Sequence, residues 1–199
     1  MKKMDHPYLL KMYDIFLAEE TLHVVMELAK GRSLKERLDG GAEYNEKDAK
    51  QLIRKLFSVI EYLHSFDLVY KDLEPDKILI DEVDETSFKL ISDIGLSKIC
   101  TDNIGYMCCA LGTPHFIAPE VLECRGYSKP VDMWSAGAIL YLILCGYPPF
   151  YSECEPELFE SIMTANYQFY DPHWVDISHE AKDLISQLLV VDTNQRLSS

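Results

Sequence analysis

Tyr70-Lys71-Asp72-Leu73-Glu74-Pro75-Asp76-Lys77 is a charged stretch of loop length, entered through the apolar run Leu68-Val69-Tyr70 and left through Ile78-Leu79-Ile80. Short apolar runs bounded by polar segments read as small strands, or strand-like pieces that hold a loop between them. A third run, Phe88-Lys89-Leu90-Ile91, leads into a second acidic loop, Ser92-Asp93-Ile94-Gly95. Upstream, Ala49, Leu52, Ile53, Leu56, Val59, Ile60 and Leu63 recur at three- and four-residue steps, and Asn45 is placed to cap their start, which predicts a long amphipathic helix. Before Gly31 the pattern is extended: Tyr8 to Phe16 and Leu22 to Met26 read as a hairpin turning at Ala18-Glu19-Glu20. Downstream of Asp132 the signals are helical. Met133 to Tyr151 carries no formal charge, but Gly146 and Pro148-Pro149 stop the helix. The apolar run left, about Ala136 to Cys145, is too short for a hydrocarbon layer ~30 Å thick and predicts a buried core helix. Glu157 to Thr164 and Ser178 to Leu189 follow as helices, the second with Ala181, Leu184, Ile185, Leu188 and Leu189 on one face. A hairpin, a helix, short strands holding charged loops and a helical remainder make an α+β arrangement, not alternating βαβ units.

With 199 residues, 48% of them hydrophobic, the chain is long enough for one well-buried domain. A formal net charge of -14 argues against binding a nucleic-acid backbone and favours basic partners. The acids are spread over Glu19-Glu20, Asp81 to Glu85 and Glu153 to Glu160, as solvated loops and helix faces usually are. The cysteines at 100, 108, 109, 124, 145 and 154 form no CxxC pair and are expected to be free thiols. Met1 to His6 has no apolar core of signal-peptide length, so a reducing cytosolic, or nuclear, location is expected, without secretion or membrane insertion.

The Tyr70–Lys77 stretch resembles the HRDLKPEN segment of protein kinases, and Ser92-Asp93-Ile94-Gly95, at matching spacing, resembles their DFG segment. Gly112-Thr113-Pro114 and Ala118-Pro119-Glu120 look like the two ends of an activation segment. Asp132-Met133-Trp134-Ser135-Ala136-Gly137 resembles the start of the central helix of the large lobe, and Arg196 matches the arginine that pairs with Glu120. Cys145 to Phe150, followed by Leu158-Phe159, is most similar to the calcium/calmodulin-dependent kinase group. The resemblance covers essentially the whole chain. It implies a protein-kinase-like fold of which 1–28 are the last strands of the small N-lobe and the hinge, and 29–199 the mainly α-helical C-lobe. The glycine-rich phosphate loop, the third-strand lysine and its glutamate partner have no counterpart here, so most of the N-lobe is missing.

The same resemblance implies roles. Asp72 corresponds to the catalytic base, Asp93 to the chief magnesium ligand and Thr113 to a catalytic position. Met26 is the gatekeeper, Glu27 and Leu28 the hinge that meets adenine, and Leu79 belongs with them around an ATP. Glu120 and Arg196 form a buried structural pair, and Asp132 caps the central helix and holds the catalytic-loop backbone. Against these, Lys77 replaces the asparagine that ligates metal, putting an ammonium where a neutral oxygen belongs. Glu74 replaces the lysine that neutralises the moving phosphoryl; losing one such stabiliser costs roughly 3–4 kcal/mol, and reversing its sign costs more. Glu74 and Lys77 either pair with each other or are solvated separately, and Lys77 could alternatively occupy the magnesium position and allow metal-free nucleotide binding. Tyr70 and Ile94 are packing substitutions. Lys71 replaces the arginine that clamps an activation-loop phosphate, and Cys109 stands where related kinases carry the phosphorylated threonine, so that switch is expected to be lost. Ser33 stands where basophilic kinases often have a glutamate, while Asp76 keeps the acid next to Lys77.

Three readings follow: a pseudokinase acting as an interaction or scaffold module for protein partners, possibly basic peptides; part of a serine/threonine kinase using ATP and magnesium; or an unstable fragment with its upper face exposed, around Met12 and Val25. Calmodulin binding is not supported within the chain.

Overall fold

The computed structural model describes residues 4–19, 21–91, 114–123, 126 and 128–199. Strands β1 (Met12–Ala18) and β2 (Thr21–Met26) form an antiparallel hairpin with Met12 opposite Met26 and Ala18 opposite Thr21. Glu19 takes a positive φ of 49° at its turn. The sequence reading started this strand at Tyr8. Instead, Tyr8 to Leu10 run beside a later strand: Leu90 N donates to Tyr8 O at 2.7 Å and Leu10 N to Leu90 O at 2.9 Å. Leu9 and Leu10 thereby enter the core, and that burial is what separates them from the exposed ribbon.

A second sheet, not legible as one in the sequence, contains β3 (Gly31–Ser33), β4 (Ile78–Asp81) and β5 (Phe88–Leu90) in the antiparallel order β3-β4-β5. Gly31 read as a break. It is required there for a steric reason: a Cβ at Gly31, whose φ is +140°, would lie 1.9 Å from the Ile80 carbonyl oxygen across the ladder. Helix α1 (Leu34–Asp39) follows at once, closed by a reciprocal cap in which Glu36 N donates to Ser33 Oγ and Ser33 N to Glu36 Oε2, each at 3.1 Å.

Helix α2 (Glu46–Ser65) is capped by Asn45, whose Oδ1 accepts from Asp48 N at 2.9 Å, and every residue of the predicted apolar face is buried. Leu68-Val69-Tyr70, expected to be strand-like, forms no strand; Leu68 N donates to Leu63 O at 3.1 Å, and the amide of Tyr70 is bound by a side chain described in the next section.

The short helix α3 (Pro119–Leu122) precedes α4 (Pro130–Cys145), which is buried on nearly all sides and stops at Gly146, φ 86°, whose N–H returns to Leu142 O at 2.8 Å. Trp134 of α4 stacks on Phe150 with ring centroids 5.4 Å apart. Helices α5 (Glu155–Met163) and α6 (His179–Leu188) complete the fold. Of the predicted α6 face, Ile185, Leu188 and Leu189 are buried and Ala181 and Leu184 half-buried. Ser178 caps α6 and binds the Glu46 carboxylate at the head of α2 through N, 2.9 Å, and Oγ, 2.6 Å, tying two helix starts together. The arrangement is α+β, with the core between α2, α4 and α6 beneath the three-stranded sheet. Among the described residues, no helix is long and apolar enough to cross a membrane.

Candidate functional site

The Tyr70–Lys77 loop crosses the top of α4, and one buried carboxylate holds it. Asp132, fully inaccessible, accepts from Tyr70 N at 2.8 Å through Oδ2 and from Lys71 N at 2.9 Å through Oδ1. A third donor reaches it from α2: His64 Nε2 lies 2.8 Å from Asp132 Oδ2. These bonds matter because Lys71 adopts a φ of 77°, a left-handed conformation that costs a non-glycine residue about 1–2 kcal/mol. Asp132 therefore holds the loop backbone but does not cap α4 as expected. It lies in the first turn of that helix, whose N-cap is Lys129 without a side-chain bond.

The rest of the loop is fixed mainly by backbone. Pro75–Lys77 form a 3₁₀ turn in which Lys77 N donates to Glu74 O at 3.1 Å, and Ile91 N donates to Lys77 O at 2.9 Å. The phenol of Tyr70 donates to the Ile91 carbonyl, so Tyr70 ties the loop to the end of β5 as well as packing in the core. Its hydroxyl gave no sequence signal distinct from that of a buried aromatic. Asp72 is exposed, while Glu74 and Lys77 are half-buried. Asp76 accepts from Ser33 Oγ at 3.3 Å, which joins the loop to the cap of α1. Asp93, Ile94, Ser97, Thr101, Cys109 and Thr113 lie outside the described residues.

The hinge residues follow β2. Glu27 N donates to Lys11 O at 2.8 Å, and the Glu27 carboxylate turns back to accept from Lys11 N at 3.2 Å and to pair with Lys89 Nζ at 3.0 Å. Burial alone would raise the Glu27 carboxyl; the Lys89 and Lys11 contacts outweigh it and hold the group below its ordinary value. Met26 is 37% and Leu28 84% exposed. Leu79 is half-buried and opposite both Ser33 and Lys89 in the sheet, so these three side chains share a face.

Among the described residues no group of three His, Cys, Asp or Glu side chains could hold a metal ion, and Asp93, the expected magnesium ligand, lies outside them.

Below the loop, Arg196 is saturated. Its Nη1 and Nη2 meet Glu120 Oε1 and Oε2 at 2.6 and 2.9 Å, Nε donates to Val190 O at 2.8 Å, and Nη1 also reaches Pro130 O at 2.8 Å. The guanidinium lies 5.0 Å from the Trp134 ring centroid, and both partners of the ion pair are buried. His64, by contrast, was missed by sequence reading. A single histidine in an amphipathic helix looks like a core residue, and only its contact with Asp132 reveals more.

The model of the family described as "Protein kinase domain" matches residues 1–199. The chain is 44% identical over 199 residues to myosin light chain kinase A of Dictyostelium discoideum, covering 100% of this chain and 67% of that protein. It is 41% identical over 198 residues to calcium/calmodulin-dependent protein kinase type 1B of Homo sapiens, covering 57% of that protein. Among solved structures it resembles Rad53 1-466 in complex with AMP-PNP, with a TM-score of 0.83 and 32% identity, covering 99% of this chain and 49% of the other.

Proposed function

The chain belongs to the protein kinase domain family, and from that premise we propose that it works as a kinase-fold interaction module in which phosphoryl transfer is negligible. Family members transfer the γ-phosphoryl of ATP with magnesium, relying on positioning and on cations around the transferring group. The observation that carries the proposal is the pairing of a well-held loop backbone with altered chemistry on it. Asp132 fixes Tyr70 and Lys71, yet Glu74 places an anion where the transition state needs a cation and Lys77 a cation where metal should bind. On this reading residues 1–28 are the last N-lobe strands and hinge, 29–199 the C-lobe, and the setting is cytosolic. Partners are proteins with basic segments, which suit a chain of net charge -14.

The retained Asp72 supports a second reading, in which the chain is part of a serine/threonine kinase like the relatives it matches. The thermal midpoint with ATP, at zero and millimolar magnesium, separates the two. The module shows no magnesium-dependent shift, whereas a rise only with magnesium would overturn it. As a paired check, Glu74→Lys with Lys77→Asn should create a magnesium-dependent shift if Glu74 and Lys77 are what disable the site.

A further inference from the structure

We propose that His115 and Tyr151 form a docking notch for an arginine side chain of a protein partner. This rests on the reading of the chain as a module for basic segments, and it names where one residue of such a segment is held. The two rings stack with centroids 5.7 Å apart and an interplanar angle of 29°. His115 lies in the short 3₁₀ turn Pro114–Phe116, and its Nδ1 is 2.8 Å from the carbonyl oxygen of Phe150, the residue before Tyr151. A carbonyl oxygen only accepts, so Nδ1 carries the hydrogen, and Nε2 of the neutral ring is left with a lone pair. Burial favours that neutral form by holding the imidazole below its ordinary value, against a smaller opposite effect of the Phe150 bond. Among the described residues Nε2 has no partner, and it is not sealed from solvent. Tyr151 is 69% exposed, so an aromatic face stands open beside an unused acceptor.

The surrounding charge has one sign. Between Lys129 and Lys182 the sequence contains no lysine or arginine. Glu153, Glu155 and Glu157, all exposed, follow Tyr151 closely, and Ser152 Oγ donates to Glu157 Oε2 at 2.9 Å, which keeps that carboxylate at the residue next to Tyr151. The acids alone attract any cation; the ring pair is what selects among cations. An anion is repelled here, and an apolar side chain leaves the lone pair of Nε2 unused. A lysine ammonium answers the charge but has no plane to lay on a ring. An arginine answers every feature: its guanidinium plane covers the tyrosine ring, one N–H donates to Nε2, and the other N–H groups are left for the carboxylates.

The test titrates an end-blocked peptide, Gly-Ser-Arg-Ser-Gly, into the chain and follows the ring resonances of His115 and Tyr151, with lysine and citrulline peptides as counterparts. The arginine peptide should shift both rings, the lysine peptide should bind more weakly, and the uncharged citrulline peptide should leave both rings unmoved. Tyr151→Phe, which keeps the aromatic face, should retain the affinity, whereas Tyr151→Leu should weaken it about threefold, the size of one exposed cation–π contact. His115→Phe keeps a ring beside Tyr151 without an acceptor and should weaken binding about tenfold, as for a hydrogen bond to a charged group. Because Tyr151 is exposed, its two variants keep the site testable even where His115→Phe folds poorly. Equal affinity for the arginine and lysine peptides, undiminished affinity in Tyr151→Leu, or no shift of the two rings would each overturn the site. The melting test with ATP and magnesium bears on the wider reading alone. A magnesium-dependent rise would sink the module reading with the arginine site intact, and loss of the site without such a rise would leave that reading standing.

Discussion

Arg196 and Cys145 show how far a side chain's chemistry is set by its neighbours. Arg196→Lys keeps the charge but loses the planar fork that meets both oxygens of Glu120, and Glu120→Ala leaves the guanidinium buried without its counter-ion. Breaking such a pair typically costs about 3–5 kcal/mol, so either variant should show a lower denaturant midpoint with the slope unchanged. Burial pushes the Cys145 thiol up to about 11, and its Sγ donates to the Tyr141 and Tyr147 carbonyls, whereas Cys154 is exposed. Mass-mapped alkylation at pH 8 should therefore label Cys154 well before Cys145, which stays largely unmodified until the chain unfolds. The Glu120–Arg196 pair was legible from sequence because each residue sits in a motif with fixed order. The contact of His64 with Asp132 and the phenol bond of Tyr70 were not, since each joins separate elements and leaves no local pattern; the cap at Ser33 has one, Ser33-Leu34-Lys35-Glu36, which sequence reading missed.

At the level of elements, periodicity predicted α2 and α6 well, because each buries one face long enough to repeat, whereas α4 was read from its uncharged apolar run, about Ala136 to Cys145, and begins earlier, at Pro130. Periodicity failed for β3 and α1, which are too short to show a period and are set by a glycine that fits under Ile80 and by a reciprocal cap. Helix ends offer two tests. Gly146 ends α4 in the left-handed region with nothing within 4 Å of an added Cβ, so Gly146→Ala should destabilise by about 1 kcal/mol through backbone strain alone, and Gly146→Asn by less. The tie between α2 and α6 depends on pH. Bonds from the Ser178 hydroxyl and then its amide hold the Glu46 carboxyl below its ordinary value. A depressed carboxyl stabilises above its unfolded value, about 4.5, and that contribution is lost as pH falls through the lower folded value. The difference in melting temperature between the chain and Glu46→Gln should thus be present at pH 6 and shrink below about pH 4.

Across the whole molecule, stability is unevenly spread. The lower part has a continuous core around Trp134, Tyr141 and Trp174, whereas the β1–β2 ribbon exposes Tyr13, Phe16, Leu17 and Val25, and Leu28 is exposed just beyond it. Amides of the ribbon should exchange first, and its apolar face should drive self-association of the chain on its own. Replacing Phe16 and Leu17 by lysine should lower light scattering at high concentration while leaving the melting temperature of the core nearly unchanged. The fragment reading anticipated exposure around Met12 and Val25; Val25 is 42% exposed, whereas Met12 is half-buried.

Asp132 holds Tyr70 and Lys71 through their main-chain amides, so these two bonds read no side chain of the loop. On the proposed reading, the charges at Glu74 and Lys77 can oppose phosphoryl transfer while those two bonds stay in place. On that reading, substitutions at 74 and 77 would act on chemistry laid over a frame that the two amide bonds already fix.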